Sequence, residues 1–177
     1  MIDFLTLDYL RRGTPRQQVV FTLVSGLGIF PDLQAYTPVL AGTVPINIDI
    51  PSSDLDILCC FDNALSFYKV VQKNVGGFPE FKICRTSLRG EDTVVANFTA
   101  GGFAFEIFGQ AVPVTQQAGY RHMIIEYMIL QERGEAFRQQ VLSLKQAGYK
   151  TEPAFAMLLQ LEGDPYQAML DYGAARV

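Results

Sequence analysis

Three short runs follow one another in the middle of the chain: FKICRTSL at 81–88, TVVANFTA at 93–100 and FAFEIFG at 103–109. Each is rich in β-branched and aromatic residues, and only RGED and Gly101-Gly102 separate them. Breaks this short turn a chain back on itself, whereas parallel neighbours need a crossover of roughly a dozen residues or more. The three runs therefore read as an antiparallel meander, which sets a sheet at the centre of the fold. Upstream, TPVLAGTVPINIDIPSSDLDILCCF reads as two further strands joined by an irregular loop, because apolar β-branched stretches flank Gly, Pro and Ser. Two helices are expected before the meander. TPRQQVVFTLVSGLGIF has a Thr cap, Pro at the first helical position and Gly26 and Gly28 to end it. DNALSFYKVVQKNVGG starts near Asp62 or Asn63 and stops at Gly76-Gly77. From Thr115 onward the helical period takes over, in QQAGYRHMIIEYMILQERG, EAFRQQVLSLKQAGY and shorter segments around EPAFAMLLQLEG and DPYQAMLDYG. The expected fold class is α/β, or α+β, with four or five strands. Residues 1–111 form its core, and 112–177 form a helical part that packs on it and closes one side of a cleft.

Nearly half of the 177 residues are apolar and 18% are charged, which suits one ordered domain, or one with a helical appendage. The net charge of -4, with basic residues scattered, leaves no cationic stripe to neutralise successive backbone phosphates, so a long nucleic acid is not the expected partner. Cys59, Cys60 and Cys84 are odd in number and without repeated spacing; all three are expected in the core rather than in disulfides, which fits a reducing compartment. MIDFLTLDYLRRG lacks the features of a secretory signal, and no stretch approaches the roughly 20 apolar residues of a membrane span. The expectation is a cytoplasmic protein with no membrane partner.

The richest chemistry lies in Ser53-Asp54-Leu55-Asp56-Ile57-Leu58. Strand side chains alternate, so Asp54 and Asp56 share one face and Leu55 and Ile57 the other. Two carboxylates side by side repel unless a cation lies between them, and hard divalent ions take oxygen ligands of this kind; the bland alternative is a solvated strand end or a pair of helix caps. Glu106, amid FAFEIFG, is a carboxylate in an apolar strand and needs a partner: a metal, or Arg85, Arg89 or Arg121. If its strand lies beside that of the aspartates, three carboxylates converge and can hold two Mg²⁺ ions. Ahead of them, Ala41-Gly42-Thr43 ends a strand, where Gly permits close backbone approach and the Thr hydroxyl can donate to phosphate oxygens, unless this is an ordinary tight turn.

Gly42-Thr43, a spacer of ten residues, Asp54-Leu55-Asp56-Ile57 and a carboxylate on a later strand together resemble the signature of the nucleotidyltransferase superfamily, which includes polymerase β-like and antibiotic-modifying enzymes. More narrowly, LAGTVPINIDIPSSDLDILC, FEIFGQAVPVTQQAGYRHMIIE and KTEPAFAMLLQLEGDPYQAML resemble the bacterial domain-of-unknown-function family 4269 within that superfamily, from about Gly28 to Leu170. The resemblance implies a nucleotidyltransferase-like mixed sheet, with Asp54, Asp56 and Glu106 as catalytic metal ligands for Mg²⁺ (or Mn²⁺). It also implies a nucleoside triphosphate as partner, with Gly42, Thr43 and the neighbouring Ser53 at its phosphates. Thr43 stands where the superfamily usually has Ser, and residues 44–51 read as extended or irregular where it usually has a helical turn.

Further candidates follow from side-chain chemistry. His122 and Glu126 are four apart on one helical face and either could act as a base toward an acceptor, or the two could be a surface or core pair. Arg121 and Lys150 could hold triphosphate oxygens, or be simply solvated. Asp49 and Glu152 could supplement the site or cap local structure. A lone histidine and the absence of paired Cys spacing, of a nucleophile motif and of a Walker loop exclude the usual zinc, hydrolase and P-loop chemistries. Two functions remain: transfer of a nucleoside monophosphate from a nucleoside triphosphate to an unknown small-molecule or protein acceptor, or a nucleotide-binding or regulatory module that performs no transfer.

Overall fold

The computed structural model describes residues 2–175. Thr14 caps the first helix as expected: its hydroxyl accepts from the Gln17 N–H, the Gln17 side chain accepts from the Thr14 N–H, and Pro15 opens α1 (Pro15–Leu27). Gly26 lies within α1, and Gly28, with φ 71°, ends it. A short α2 (Ile29–Asp32) follows, then strand β1 (Val39–Ala41). A loop over 42–54 leads to β2 (Leu55–Cys60), and Asn63 caps α3 (Ala64–Val75) through its side-chain oxygen. Strands β3 (Lys82–Leu88), β4 (Glu91–Ala100) and β5 (Phe103–Gln110) form the meander. Helices α4 (Ala118–Gln146), α5 (Thr151–Leu159) and α6 (Pro165–Ala174) complete the chain.

The five strands make one mixed sheet in the order β1-β2-β5-β4-β3. All pairings are antiparallel except β2 with β5, which the α3–β3–β4 excursion makes parallel. The alternation of the strands divides the core. Leu55, Ile57, Cys59, Phe105 and Ile107 pack with Val20 and Val24 of α1 and Phe67 and Val71 of α3. On the other side, Val39, Ala41 and Leu58 pack with Met123, Ile129 and Val141 of α4, Phe155 of α5 and Met169 of α6. That second group also takes in Phe4 near the N-terminus.

Three details sharpen the sequence reading. Cys84 is exposed rather than in the core, because β3 is an edge strand with most of its residues in solvent; all three cysteines are free. The segment after Thr43 is not extended but a hydrogen-bonded turn, with Asn47 N–H donating to the Val44 carbonyl (3.2 Å) and Ile48 N–H to that of Thr43 (3.1 Å). The two helices expected after Thr115 meet, as the sequence places them, at Gly134, whose φ of 74° and ψ of -167° are not helical and kink α4 there. Among the described residues no helix is long and apolar enough to cross a membrane.

Candidate active site

The parallel pairing of β2 with β5 sets Asp56 opposite Glu106. Paired residues of adjacent strands point to the same face, about 4.8 Å apart along the sheet. Leu55, Ile57, Phe105 and Ile107 turn inward toward α1 and α3, so Asp56 and Glu106 face the side covered by α4–α6. Asp54, one residue ahead of β2, acts on both: its charge raises the pKa of Asp56 and of Glu106. Gly42 follows β1, whose Ala41 pairs with Asp56. It has a φ of 79°, and a Cβ there would collide with Asp56 Oδ2, so only glycine allows the backbone to pass the carboxylate this closely.

The loop over 42–54 is pinned from both sides. Gln17, buried in α1, donates its amide to the carbonyls of Val44 (2.9 Å) and Pro45 (3.1 Å). Arg16 donates to the carbonyls of Ile50 (3.3 Å) and Pro51 (3.4 Å) and forms an ion pair with Asp49 at 2.5 Å. From the opposite side Arg138 donates to the Asn47 carbonyl (3.1 Å). Within the loop the Thr43 hydroxyl donates to Ser53 Oγ (3.2 Å), which also accepts from the Ile50 N–H (3.0 Å). The two hydroxyls thus sit together at the edge of the carboxylates, and Asp49 is a tether of this loop.

Gly42, Thr43, Ser53 and the three carboxylates line one cavity of about 940 Å³, together with residues of α4, the α4–α5 turn and α5. Of the residues singled out in the sequence, Gly42, Thr43, Ser53, Asp54, Asp56, Glu106, His122, Glu126, Lys150 and Glu152 are all on its walls. Burial raises the Asp56 pKa to about 7, with the charges of Asp54, Glu106 and Glu152 adding to it and Lys145 opposing. Glu106 is raised by burial and by Asp54, against Lys150. Neither Asp56 nor Glu106 has an ion-pair partner among the described residues, and Arg85 is spent on Asp92 at 2.6 Å. Two half-buried acids with no ion-pair contact suit a hard divalent cation by donor type. Among the described residues, however, no group of three or more His, Cys, Asp or Glu is gathered closely enough to hold a metal ion as it stands, so a cation would have to draw the carboxylates together.

The helical wall is polar and buried. His122 Nε2 lies 2.9 Å from the Tyr166 carbonyl and Nδ1 lies 3.4 Å from Glu152 Oε1. Burial works against the imidazolium, yet Glu152, the Tyr166 carbonyl and Glu126 outweigh it and raise the His122 pKa. Both ring nitrogens face acceptors, so His122 braces α4 against α5 and α6. Glu126 is fully buried and its pKa rises to about 8, by desolvation and by the Glu152 charge, against His122 and Lys145. Lys145 donates to Thr151 Oγ1 (3.2 Å); burial lowers its pKa while Glu126, Asp49, Glu152 and Asp54 hold it up.

Two candidates lie outside the cavity: Asp49, which tethers the loop over 42–54, and Arg121. A single step along the helix turns Arg121 about 100° from His122, and it is exposed beside a separate groove with Tyr120, Ile124 and Met128. One charged cavity residue, Lys145, escaped the sequence reading. Lys145 had a signal: with Phe137 and Val141 it forms an i, i+4, i+8 stripe that is otherwise apolar, so a lysine there had to be buried. Arg89, weighed in the sequence only as an ion-pair partner of Glu106, borders the cavity from the β3–β4 turn.

The fold is similar to that of nucleotidyltransferase polymerases. The Cid1 poly(U) polymerase with MgGTP bound matches with a TM-score of 0.50 and 13% identity over 73% of this chain and 40% of that one. The GLD-2/RNP-8 complex gives 0.53 and 13% over 86% and 60%, and the polymerase core of TRAMP, an RNA surveillance complex, 0.52 and 9% over 89% and 49%. The chain thus spans between two fifths and three fifths of the length of these proteins. No curated protein matches it. A family model does, over residues 22–172, most of the chain: the protein belongs to DUF4269, a domain of unknown function.

Proposed function

We propose that the chain is a nucleotidyltransferase that uses Mg²⁺ or Mn²⁺ to move a nucleoside monophosphate from a nucleoside triphosphate to a small-molecule or protein acceptor. The observation that carries this reading is the parallel register of Asp56 with Glu106, which sets two carboxylates with no ion-pair contact among the described residues on one face beside Asp54 and the Gly42-Thr43 turn. Divalent cations held by Asp54, Asp56 and Glu106 would neutralise triphosphate charge and acidify the acceptor hydroxyl. Gly42 leaves room for phosphate oxygens against the backbone, and the Thr43 and Ser53 hydroxyls donate to them. Lys150, exposed at the start of α5, and Lys145 supply positive charge from the helical wall. Glu106 lies on the acceptor side and Glu152, braced by His122, on the wall facing Asp56. In the reaction the acceptor oxygen bonds to the α-phosphorus, the bond from that phosphorus to the bridging oxygen breaks, and pyrophosphate leaves. The acceptor proton passes to a site carboxylate or to solvent.

The helical part, residues 112–177, serves in this reading as the cover of the core, 1–111. The test is Asp56→Asn, which is expected to abolish pyrophosphate release from ATP, CTP, GTP or UTP while the circular dichroism spectrum stays that of the parent. A folded variant with full turnover would count decisively against the assignment. A nucleotide-binding module without transfer is the rival, favoured by the carboxylates not being gathered as they stand. Metal-dependent nucleotide binding in calorimetry without pyrophosphate release would select it.

A further inference from the structure

Resting on the nucleotidyl-transfer reading, we infer that the acceptor is a small phosphorylated alcohol of the sugar-phosphate type, which lies across the sheet between Glu106 and the β3–β4 hairpin with its phosphate on Arg89. In-line displacement sets the leaving pyrophosphate and the attacking oxygen on opposite sides of the α-phosphorus. Across the sheet, Gly42 and Thr43 follow β1, the aspartates belong to β2 and Glu106 to β5, with β4 and β3 beyond. With the triphosphate at the β1 side, the acceptor must enter over β5, β4 and β3.

That part of the sheet is open. The register continues the carboxylate row from Asp56 and Glu106 to Asn97 on β4 and Lys82 on β3, both exposed on the same face. Phe108, two residues after Glu106, is half-buried on the cavity wall, and its ring offers a surface on which the C–H face of a sugar packs. Arg89 lines the same cavity and makes no ion pair or side-chain hydrogen bond among the described residues. It sits at the first position of the two-residue turn joining β3 to β4, with φ 53°, followed by Gly90 at 86°. Asn or Gly is the usual residue at such a position, and an arginine is held there at a cost of about 1 kcal/mol. An unpaired guanidinium beyond an acid-lined centre complements a phosphate by a forked pair of hydrogen bonds.

The test uses the full chain without nucleotide. Calorimetry measures binding of ribose 5-phosphate, of ribose and of a short oligoribonucleotide to the parent, to Arg89→Gln and to Arg89→Glu. Mg·ATP binding to the same proteins is measured separately. The parent is expected to bind ribose 5-phosphate and not ribose, and Arg89→Gln to weaken that binding about tenfold, the factor one charge-assisted hydrogen bond carries. Arg89→Glu weakens it further, with Mg·ATP affinity unchanged in both. No saturable binding of ribose 5-phosphate, equal binding of ribose, binding of the oligoribonucleotide alone, or an equal loss of Mg·ATP would overturn the inference. Failure of the parent to bind Mg·ATP would instead strike the nucleotidyl-transfer reading, so the two failures are read apart.

Discussion

Replacing Gly42 by alanine separates backbone strain from its effect on the carboxylates, because a second glycine provides the control. Gly42 has φ 79° and Gly102 has φ 81°, both in the left-handed region. A Cβ at Gly42 meets Asp56 Oδ2, whereas a Cβ at Gly102 meets nothing within 4 Å. An L-residue held at such a φ costs about 1–2 kcal/mol, so both Gly42→Ala and Gly102→Ala should lower the Tm by about 2–8 °C in a chain of this size. Only Gly42→Ala must also push the Asp56 carboxylate out of its place. Chemical denaturation reads the first effect, and calorimetric titration with Mg·ATP the second. The expected outcome is two similar stability losses, with Mg·ATP binding at least about tenfold weaker in Gly42→Ala alone, the scale of one charge-assisted contact. If both variants keep the parent's affinity, the close approach of Gly42 to Asp56 has no part in nucleotide binding and the reasoning is refuted.

Glu126 should make stability depend on pH. Its folded pKa of about 8 lies above the ordinary 4.5, so the folded state holds the proton more tightly and stability falls as pH rises between those values. Glu126→Gln mimics the protonated acid and should match the parent near pH 5 yet exceed it by several degrees in Tm at pH 8; a loss at pH 8 would mean that the ionised carboxylate is held by Lys145 or His122. Asp56→Asn should likewise melt higher than the parent at pH 8 without added metal, since the Asp56 pKa of about 7 also lies above its ordinary 3.8. Arg16→Ala strands Asp49, whose side chain is only 7% exposed, and frees the loop over 42–54. A loss of about 3 kcal/mol in urea denaturation is expected, while Arg16→Lys recovers part of it; no loss would remove the pair as the tether.

The meander was legible because its turns are short, and the α1 start because Thr14, Pro15 and Gln17 carry a complete cap. The pairing of Asp56 with Glu106 was only half legible. Alternation in SDLDIL fixes a face within one strand, but nothing local states that the meander starts at the far edge and runs back so that β5 lies beside β2. His122 shows the opposite limit: its spacing from Glu126 was readable, yet Glu152 and the Tyr166 carbonyl, which occupy both ring nitrogens, come from α5 and α6. Arg121 was singled out and Lys145 passed over for one reason. Charge suggests a role, but the helical phase relative to distant elements decides which way a side chain points.

The break at Gly134 sets a rule of spacing for the whole site. A straight helix of 29 residues would reach roughly 43 Å, nearly twice the breadth of five strands at about 4.8 Å each. Yet Ala118 and Gly119 at one end of α4, and Lys145 and Gln146 at the other, border the same cavity. The helix therefore works as a strap doubled back on itself, and the stretch from Gly134 to Lys145 is a measured length: one residue added or removed there would rotate the ammonium group by about 100° and retire it from the cavity.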